Sequence, residues 1–418
     1  MTITGTARSE RSFAQVRELF APIFARIAEG AAQRDRERQL PFEQVRWLKQ
    51  AGFGALRVPS EHGGFGLSLP ELFALLVDLA AADANLPQIF RGHIAFVEDR
   101  LHSPDRVSAH RWFARFAAGE TVGNAWSENG PAVVGTLGTT LARDGGLWRL
   151  DGAKYYTTGS IFADWADVTA TREDGVGVTV LVRTDAEGVE IRDDWDGFGQ
   201  RTTGTGAAIF DAVRVEDEDV TLFEERFSYQ TALYQLVLLA VQAGIARAAR
   251  EEVAGQLRDR SRVFSHGLAP LAKDDGQLQA VVGEVASIAF VAEAAVERVA
   301  RVLAQAAELE HERGSERQER ARAEAEIASA QAQVVLSELV PRAGTLLFNA
   351  LSASAVSASR DLDRHWRNAR TVASHNPVVY KARIVGDWFV NGAHPPYIWH
   401  IGQATPGRPG QEPVQPGE

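Results

Sequence analysis

Three consecutive stretches in the C-terminal half most strongly limit the folds that this chain can adopt. Residues 229–257, 278–314 and 315–348 each carry apolar side chains at helical spacing over many turns, with charged residues between them. Long helices joined by short connections bury their apolar faces most simply against one another. We therefore predict an antiparallel four-helix bundle within residues 223–401.

The rest of the chain shows two other sequence patterns. Residues 1–120 have helical patterns, as in "LPFEQVRWLKQAG", which ends at Gly52. Residues 121–222 contain short β-branched or aromatic runs separated by glycine and aspartate, which is typical of a β-barrel or sandwich. The Gly- and Pro-rich residues 402–418 are predicted to form a flexible tail. The predicted class is α+β: an N-terminal helical domain, a central β-domain and a C-terminal bundle.

Composition excludes several kinds of function. The 418 residues are 45% hydrophobic and 24% charged, with a net charge of -11 and no long Lys/Arg block, so nucleic acid is not an expected partner. The absence of cysteine excludes disulfides, thiolate catalysis and Cys-ligated metals, and we expect no metal site. The N-terminus lacks an apolar signal core, and no uninterrupted apolar run reaches about 18 residues. We expect a cytoplasmic protein that does not bind a membrane.

A nucleotide-binding glycine loop is also missing. "GVGVTV" (175–180) and "GTGAAIF" (204–210) are glycine pairs inside strand-like runs, without a third glycine or a following helix. The chain is therefore not expected to bind a pyridine nucleotide.

Four motifs, in this order, resemble the acyl-CoA dehydrogenase superfamily along residues 12–400. They are "VPSEHGGFGLSLPEL", "GNAWSENGP", "LDGAKYYTTGSIFADWADV" and "GFGQRTTGTG". The resemblance implies a flavin between the β-domain and the C-terminal bundle. An isoalloxazine ring needs an apolar slot with a few placed polar groups, and the second and third motifs supply aromatic, amide and hydroxyl side chains.

The positions of the catalytic base distinguish between branches of this superfamily. Acyl-CoA dehydrogenases remove a proton with a glutamate at one of two places, which correspond here to His375–Asn376 and to Tyr234. Neither place holds a carboxylate. "HWRNARTVASHNPVVYK" (365–381) instead resembles the flavin-dependent monooxygenase branch, which includes the dibenzothiophene monooxygenases, although Asn376 stands where that branch has Asp.

That branch implies a two-component monooxygenase. Such an enzyme takes reduced FMN (FAD is an alternative) from a separate NAD(P)H:flavin reductase. It reacts with O2 through a C4a-hydroperoxyflavin and oxygenates a small aromatic or heteroaromatic substrate at C, S or N. The resemblance also implies a homotetramer. Two alternatives stay open: a flavin-dependent dehydrogenase or oxidase, and a non-catalytic binding subunit with the flavin fold.

The resemblance assigns roles to individual residues. His375 is expected beside the flavin as a proton source, because imidazole titrates near neutral pH. Thr158 is expected near the flavin N5, and His93 near the pocket as a third catalytic candidate. The alternatives are a helix-end histidine, an ordinary strand threonine and a core histidine.

Further positions are expected to contact the cofactor or substrate. The expected cofactor contacts are Asn124, Ala125, Trp126, Ser127, Glu128, Asn129, Tyr156, Thr157, Thr158, Arg262, Ala353, Ser354 and His375. Arg262 is expected to reach the flavin phosphate of a neighbouring subunit, since Arg suits bidentate phosphate contacts. The expected substrate pocket consists of Tyr156, Trp195 and His93. Glu128 could simply be solvated, and residues 350–359 could serve helix packing.

Overall fold

The computed structural model describes residues 11–129 and 137–398. These residues form three parts in the predicted order: helices, a sheet and a helical bundle. The α+β class is confirmed. The tail predicted at 402–418 lies outside the described residues.

Seven helices form the N-terminal part. They are α1 (Phe13–Ala28), α2 (Ala31–Glu37), α3 (Phe42–Ala51), α4 (Leu69–Ala82), α5 (Leu86–Ile89), α6 (Arg91–His102) and α7 (Arg106–Ala118). Ser12 and Ser68 each begin a helix with a capping box, in which the side chains of Gln15 and Glu71 bond back to the cap. Helix α4 then packs along the first long helix of the bundle.

The central part is one eight-stranded sheet. Its strands are β1 (Val122–Ala125), β2 (Thr140–Asp144), β3 (Leu147–Lys154), β4 (Trp165–Arg172), β5 (Gly177–Arg183), β6 (Val189–Ile191), β7 (Ala208–Val215) and β8 (Val220–Leu222). The hydrogen-bonded order is β6-β7-β3-β2-β4-β5-β8, and β1 pairs with β4 in parallel. Within the described residues this path is open at β6 and β8, so the strands do not close into the barrel that was one of two expectations. Strand β5 packs against β7, which folds the sheet over its own apolar core.

The C-terminal part contains the predicted bundle. Its helices are α8 (Gln230–Arg258), α9 (Gly276–Glu308), α10 (Glu316–Leu351), α11 (Arg364–Ala373) and α12 (Lys381–Asn391). The three long helices pack on one another, and the short α11 packs against both α8 and α10. Helix α11 thus takes the fourth position, while α12 lies on α10.

Three helices, α8, α9 and α10, are long and apolar enough to cross a membrane by length and composition alone. They do so although no uninterrupted apolar run reaches about 18 residues, because polar residues interrupt the apolar stretches of these helices. In α8 83% of the apolar stretch is buried inside the protein, so its hydrophobicity serves the bundle core. In α9 only 28% is buried, which leaves an apolar outer face.

Candidate active site

His375 stands just beyond the end of α11. The helix ends at Ala373, and Pro377 cannot continue it because it has no N–H to donate. The next residue, Asn376, fastens this turn to two long helices. Its Nδ2 donates to Oε1 of Gln235 on α8 at 2.7 Å, and its carbonyl oxygen accepts from Nε2 of Gln333 on α10 at 3.0 Å. The position of His375 is thereby held from both sides.

Arg91, the first residue of α6, reaches His375 from the N-terminal part. Its Nη2 lies 2.9 Å from Nε2 of His375. A guanidinium can only donate, so Nε2 is the acceptor and the proton of the neutral ring is on Nδ1. The Arg91 guanidinium carbon also lies 5.1 Å from the ring centroid of Tyr234 on α8. Three elements from two parts of the fold therefore meet at this point: α6 of the N-terminal part, and α8 and the end of α11 of the C-terminal part.

The charge state of His375 differs from the expectation. The residue is exposed, and its ring lies against the guanidinium of Arg91. Desolvation, followed by the positive charge of Arg91, lowers the pKa of His375 to about 3. An imidazole that titrates near neutral pH was predicted, and this was wrong. The ring is neutral at pH 7 and offers only its Nδ1–H.

Arg91 itself is an unusual buried cation. It is 6% exposed, and its Nε has no hydrogen-bond partner in the described residues. Desolvation lowers the pKa of Arg91 to about 10, which leaves the guanidinium charged at neutral pH. Sequence reasoning missed this residue. The available signal was a lone arginine inside the mostly apolar and largely buried "PQIFRGHIAF".

The loop after β1 forms the neighbouring wall. Asn124 is buried, and its Oδ1 has no partner in the described residues. It lies against Gly92, where an added Cβ would stand 2.9 Å from this oxygen, so only glycine permits the approach beside Arg91. Ala125 points into the core of the sheet and can offer a ligand only its backbone.

Trp126 is the largest side chain of this loop. Its indole nitrogen donates to Oδ2 of Asp167 at 3.2 Å, and the same oxygen accepts from Nη1 of Arg226 at 3.0 Å. The Trp126 ring lies 5.3 Å from that of Tyr234, between centroids, so the indole is part of the wall that Arg91 contacts. The pair Asp167–Arg226, which sequence reasoning also missed, fixes the indole from behind.

The next three residues of the loop have different environments. Ser127 bridges to Tyr155 through backbone, with the Tyr155 N–H donating to its carbonyl oxygen at 2.8 Å. Glu128 accepts from Nζ of the buried Lys154 at 2.5 Å and from the backbone N–H groups of Gly138 and Thr139 at 2.6 and 3.1 Å. The Glu128 carboxylate is therefore bound by protein groups and is neither solvated nor free for a cofactor. It links this loop to the residues that precede β2. Asn129 is exposed.

Thr158 lies in a chain of buried hydroxyls. Its Oγ1 is 2.8 Å from Oγ1 of Thr205, which is 2.7 Å from Oγ1 of Thr203. Thr203 donates to the carbonyl oxygen of Gln200 at 3.0 Å. Each hydroxyl has one proton, so Thr205 donates to Thr203 and Thr158 donates to Thr205. Thr158 thus has lone pairs, and no free proton, to offer to a ligand. Its neighbour Thr157 bonds to the Gly206 carbonyl oxygen and does not face the site.

A tight turn places Thr158 beside the N-terminal helices. Gly159 has a φ of +81°, and a Cβ there would stand 2.1 Å from the carbonyl oxygen of Ile89 in α5. Only glycine allows this turn to approach α5 so closely. Thr158 is therefore one residue from a contact with the helix that precedes Arg91.

Tyr156 and Trp195 form an outer aromatic pair. Tyr156 has a φ of 60° and is 43% exposed, and its ring centroid is 6.1 Å from that of Trp195. The indole nitrogen of Trp195 donates to the carbonyl oxygen of Gly199, next to which Gln200 bonds to Asn368 of α11. This pair is connected to α11, whose end carries His375, and it suits the predicted wall of a pocket.

His93 has a structural place instead. It is 2% exposed; its Nε2 donates to the Gly54 carbonyl oxygen at 2.7 Å, and its Nδ1 accepts from the Val122 N–H at 3.2 Å. Desolvation lowers the pKa of His93 to about 4, so it is neutral at pH 7. Both ring nitrogens are engaged by backbone, which leaves neither for a substrate or a proton transfer. We therefore withdraw the catalytic and pocket roles that were predicted for it.

Arg262, Ala353 and Ser354 are not brought to His375. Arg262 is exposed in the loop after α8, and Ala353 and Ser354 lie in the turn after α10. Arg260 joins the two segments, since its guanidinium donates to the Ala350 carbonyl oxygen at 3.1 Å. The length of α8 separates this region from Tyr234 by roughly 36 Å. One chain alone does not place these residues in the site around His375.

Comparison with known proteins decides the family. Sequence models of the acyl-CoA dehydrogenase N-terminal, middle and C-terminal domains match residues 11–120, 125–213 and 236–380. The chain belongs to the acyl-CoA dehydrogenase family. The family expected from the motifs is confirmed, with all three domains in order.

Relatives within this family are flavin-dependent monooxygenases, as the resemblance implied. The dibenzothiophene monooxygenase of Rhodococcus qingshengii is 26% identical over 390 residues, 87% of this chain and 90% of that protein. The probable FMNH2-dependent monooxygenase SfnC of Pseudomonas putida is 27% identical over 378 residues, 88% of this chain and 93% of that protein. The crystal structure of FMN-bound TdsC from Paenibacillus sp. A11-2 superposes with a TM-score of 0.82 at 28% identity, covering 92% of this chain and 99% of that chain.

The residues around His375 fit the flavin that such relatives bind. Trp126 and Tyr234 provide aromatic faces, and the unpaired Oδ1 of Asn124 and the lone pairs of Thr158 provide polar groups. A flavin ring needs this combination of an apolar slot and a few polar partners. Unlike the dehydrogenases of the family, this chain has no carboxylate at the two places where their base stands.

Two cavities lie elsewhere. One of about 330 Å³ is lined by Phe42, Lys49 and Phe162, and one of about 300 Å³ by Asp83, Glu252 and His365, among others. Neither contains any residue predicted for the site. In the described ranges, no group of three or more His, Asp or Glu side chains could hold a metal ion.

Proposed function

We propose that this chain is a flavin-dependent monooxygenase that uses reduced FMN and O2 on a small organic substrate. One observation carries the proposal. Where a dehydrogenase of the family is expected to keep its catalytic carboxylate, this chain has Asn376, and the residue before it is a neutral His375 held by the buried cation of Arg91. A neutral imidazole beside a cation is a poor base for carbon acids but a suitable hydrogen-bond donor. The named relatives support the same activity.

Each residue of the site would have its own role in flavin binding or catalysis. Reduced FMN, when bound, would supply the reaction of O2 and the transfer of one oxygen atom. Asn124, Trp126 and Ser127 would hold the flavin, and Thr158 would accept a hydrogen bond from it. His375 would donate its Nδ1 proton toward developing negative charge, while Arg91 holds the ring orientation. The aromatic wall of Tyr156 and Trp195 would keep water out.

We further propose a separate NAD(P)H:flavin reductase as the partner. The dinucleotide loop is missing from the sequence, so this chain needs reduced FMN from another protein. NADH consumption by the purified chain alone, in the presence of FMN and O2, would contradict the two-component arrangement. Turnover restored by an unrelated flavin reductase would support it.

We propose that the enzyme is a cytoplasmic homotetramer. On the outer face of the bundle, Phe290 and Val291 of α9 are 72% and 39% exposed, and Val335 of α10 is 47% exposed. Burial of such a face by a second copy is the usual solution for long bundle helices. A partner subunit would also bring Arg262, Ala353 and Ser354 toward a flavin. Light scattering that reports an active monomer would contradict this proposal.

A stopped-flow experiment separates monooxygenase from dehydrogenase or oxidase. The protein with reduced FMN is mixed with aerated buffer and followed by absorbance. An oxygen-dependent intermediate that outlives the one formed by free reduced FMN supports a monooxygenase. Anaerobic bleaching of bound oxidised FMN by an acyl-CoA would favour the dehydrogenase instead, and failure to bind FMN in either redox state would favour a non-catalytic subunit.

A further inference from the structure

Arg91 differs from every other buried arginine in the described residues. Arg34, Arg100 and Arg226 are buried to a similar degree, and each has a carboxylate oxygen within 3.0 Å. Arg91 has none in the described part of the chain. Its only hydrogen bond there joins it to His375, a neutral ring, and its Nε–H is buried without an acceptor. A buried charge normally has a counter-charge, so this cation could bind an anionic partner that the described residues do not supply.

The surrounding charges leave an excess of one positive charge. The charged groups that act on the Tyr234 hydroxyl are Arg226, Asp167, Arg91 and Asp99. Asp167 is paired with Arg226, and Asp99 with Arg100 at 2.6 Å. Only Arg91 is left without a carboxylate in this cluster.

The free groups at this position are hydrogen-bond donors. The Tyr234 hydroxyl is buried and has no partner in the described residues, and the Arg91 guanidinium lies over the same ring. A cation with an unpaired N–H, beside an unpaired hydroxyl, matches an oxyanion such as a carboxylate or sulfinate, because both groups donate to the same acceptor oxygens.

We infer that Arg91 selects substrates that carry a carboxylate or a related oxyanion. The inference rests on the proposed function, because it assigns the substrate class of the same site. The anionic group would lie between Arg91 and Tyr234, and the indole ring of Trp126 would contact the apolar remainder of the substrate. An uncharged heteroaromatic compound would leave both donors unpaired and would bind less tightly.

The test compares benzoate with benzamide, which has the same shape but no charge. Isothermal titration calorimetry is done on the purified chain with oxidised FMN and, separately, without it, so no turnover is needed. We expect benzoate to bind roughly 10- to 100-fold more tightly than benzamide, the range of a hydrogen bond to a charged group. Arg91→Met should abolish the preference, while Arg320→Met, on an exposed face of α10, should preserve it.

Several results would overturn the inference. Equal affinities in the wild type would do so, as would a preference that survives Arg91→Met. Weaker FMN binding in Arg91→Met with an unchanged benzoate preference would assign Arg91 to the flavin instead. If Arg91→Met does not fold, Arg91→Lys decides, because it keeps the charge but removes the Nε–H: roughly tenfold weaker benzoate binding supports the inference, and unchanged binding overturns it. A preference for benzoate in a protein without oxygen chemistry would refute only the proposed function.

Discussion

Arg91 and His375 are 284 positions apart in the chain, yet Nη2 of the arginine donates to Nε2 of the histidine at 2.9 Å. This bond settles which ring nitrogen carries the proton, and the adjacent positive charge opposes protonation of the ring. It also joins the N-terminal helices to the end of α11. The chemical state of the candidate catalytic histidine therefore depends on a residue from another domain.

The first prediction concerns the pKa of His375, which is lowered to about 3 by desolvation and then by Arg91. In NMR spectra of histidine-labelled protein, the His375 ring should show no titration between pH 5 and 8. Arg91→Met removes the second cause but leaves desolvation, so the pKa should rise and stay below 6.5. A wild-type midpoint near 6.5 would show that Arg91 does not control this ring.

The second prediction concerns the role of His375 in turnover. His375→Ala should reduce product formation by about 10² to 10⁴, the usual contribution of a positioned proton donor. Binding of FMN and the melting temperature should change little, because His375 is exposed. Ser374→Ala, at the exposed neighbouring position, is the matched control. A wild-type product yield in His375→Ala would mean that the histidine only ends a helix.

The third prediction concerns the hydroxyl chain at Thr158. Thr158→Ala removes an acceptor that the chain presents to the site, so roughly three- to tenfold more O2 should be lost as hydrogen peroxide per product formed. Thr158→Ser retains the hydroxyl and should keep most of the coupling. Product and peroxide are measured in the same assay. Equal peroxide yields from the Ala and Ser variants would exclude a role for the hydroxyl.

The fourth prediction concerns stability and Glu326. This residue of α10 is 4% exposed, and desolvation raises the pKa of its carboxyl from 4.5 to about 7, partly offset by Lys381. The folded state thus holds a proton that the unfolded chain loses near pH 4.5. The free energy of unfolding should fall as pH rises from about 4.5 to 7, by on the order of 3 kcal/mol. Denaturant unfolding of Glu326→Gln should lack this loss, because the amide stays neutral.

Glu324→Gln provides the control for that measurement. Glu324 is half-exposed on the same helix and pairs with the exposed Arg320. Its variant should follow the wild-type dependence of stability on pH. Parallel curves for wild type and Glu326→Gln would show that another group causes the pH dependence.

The local sequence pattern was sufficient to predict the long helices of the bundle and the helix end before His375. The apolar spacing of residues 229–257, 278–314 and 315–348 predicted helices that the structure shows as α8, α9 and α10. The motif that ends in Pro377 predicted a helix end with His375 just beyond it. These properties depend on neighbours within a few residues, through backbone geometry and helical periodicity, so the sequence by itself determined them.

The chemistry of the site was decided by tertiary structure. The motifs pointed to His375 and Thr158, but nothing local showed that Arg91 would lower the pKa of one and that Thr205 would take the proton of the other. From the sequence, His93 was a reasonable catalytic candidate. In the folded protein both its ring nitrogens are hydrogen-bonded to backbone groups, those of Gly54 and Val122. Hydrogen-bond partners, desolvation and unpaired charges arise between elements that meet only after folding. The sequence determined where the elements are, and the packing of distant elements decided what their side chains can do.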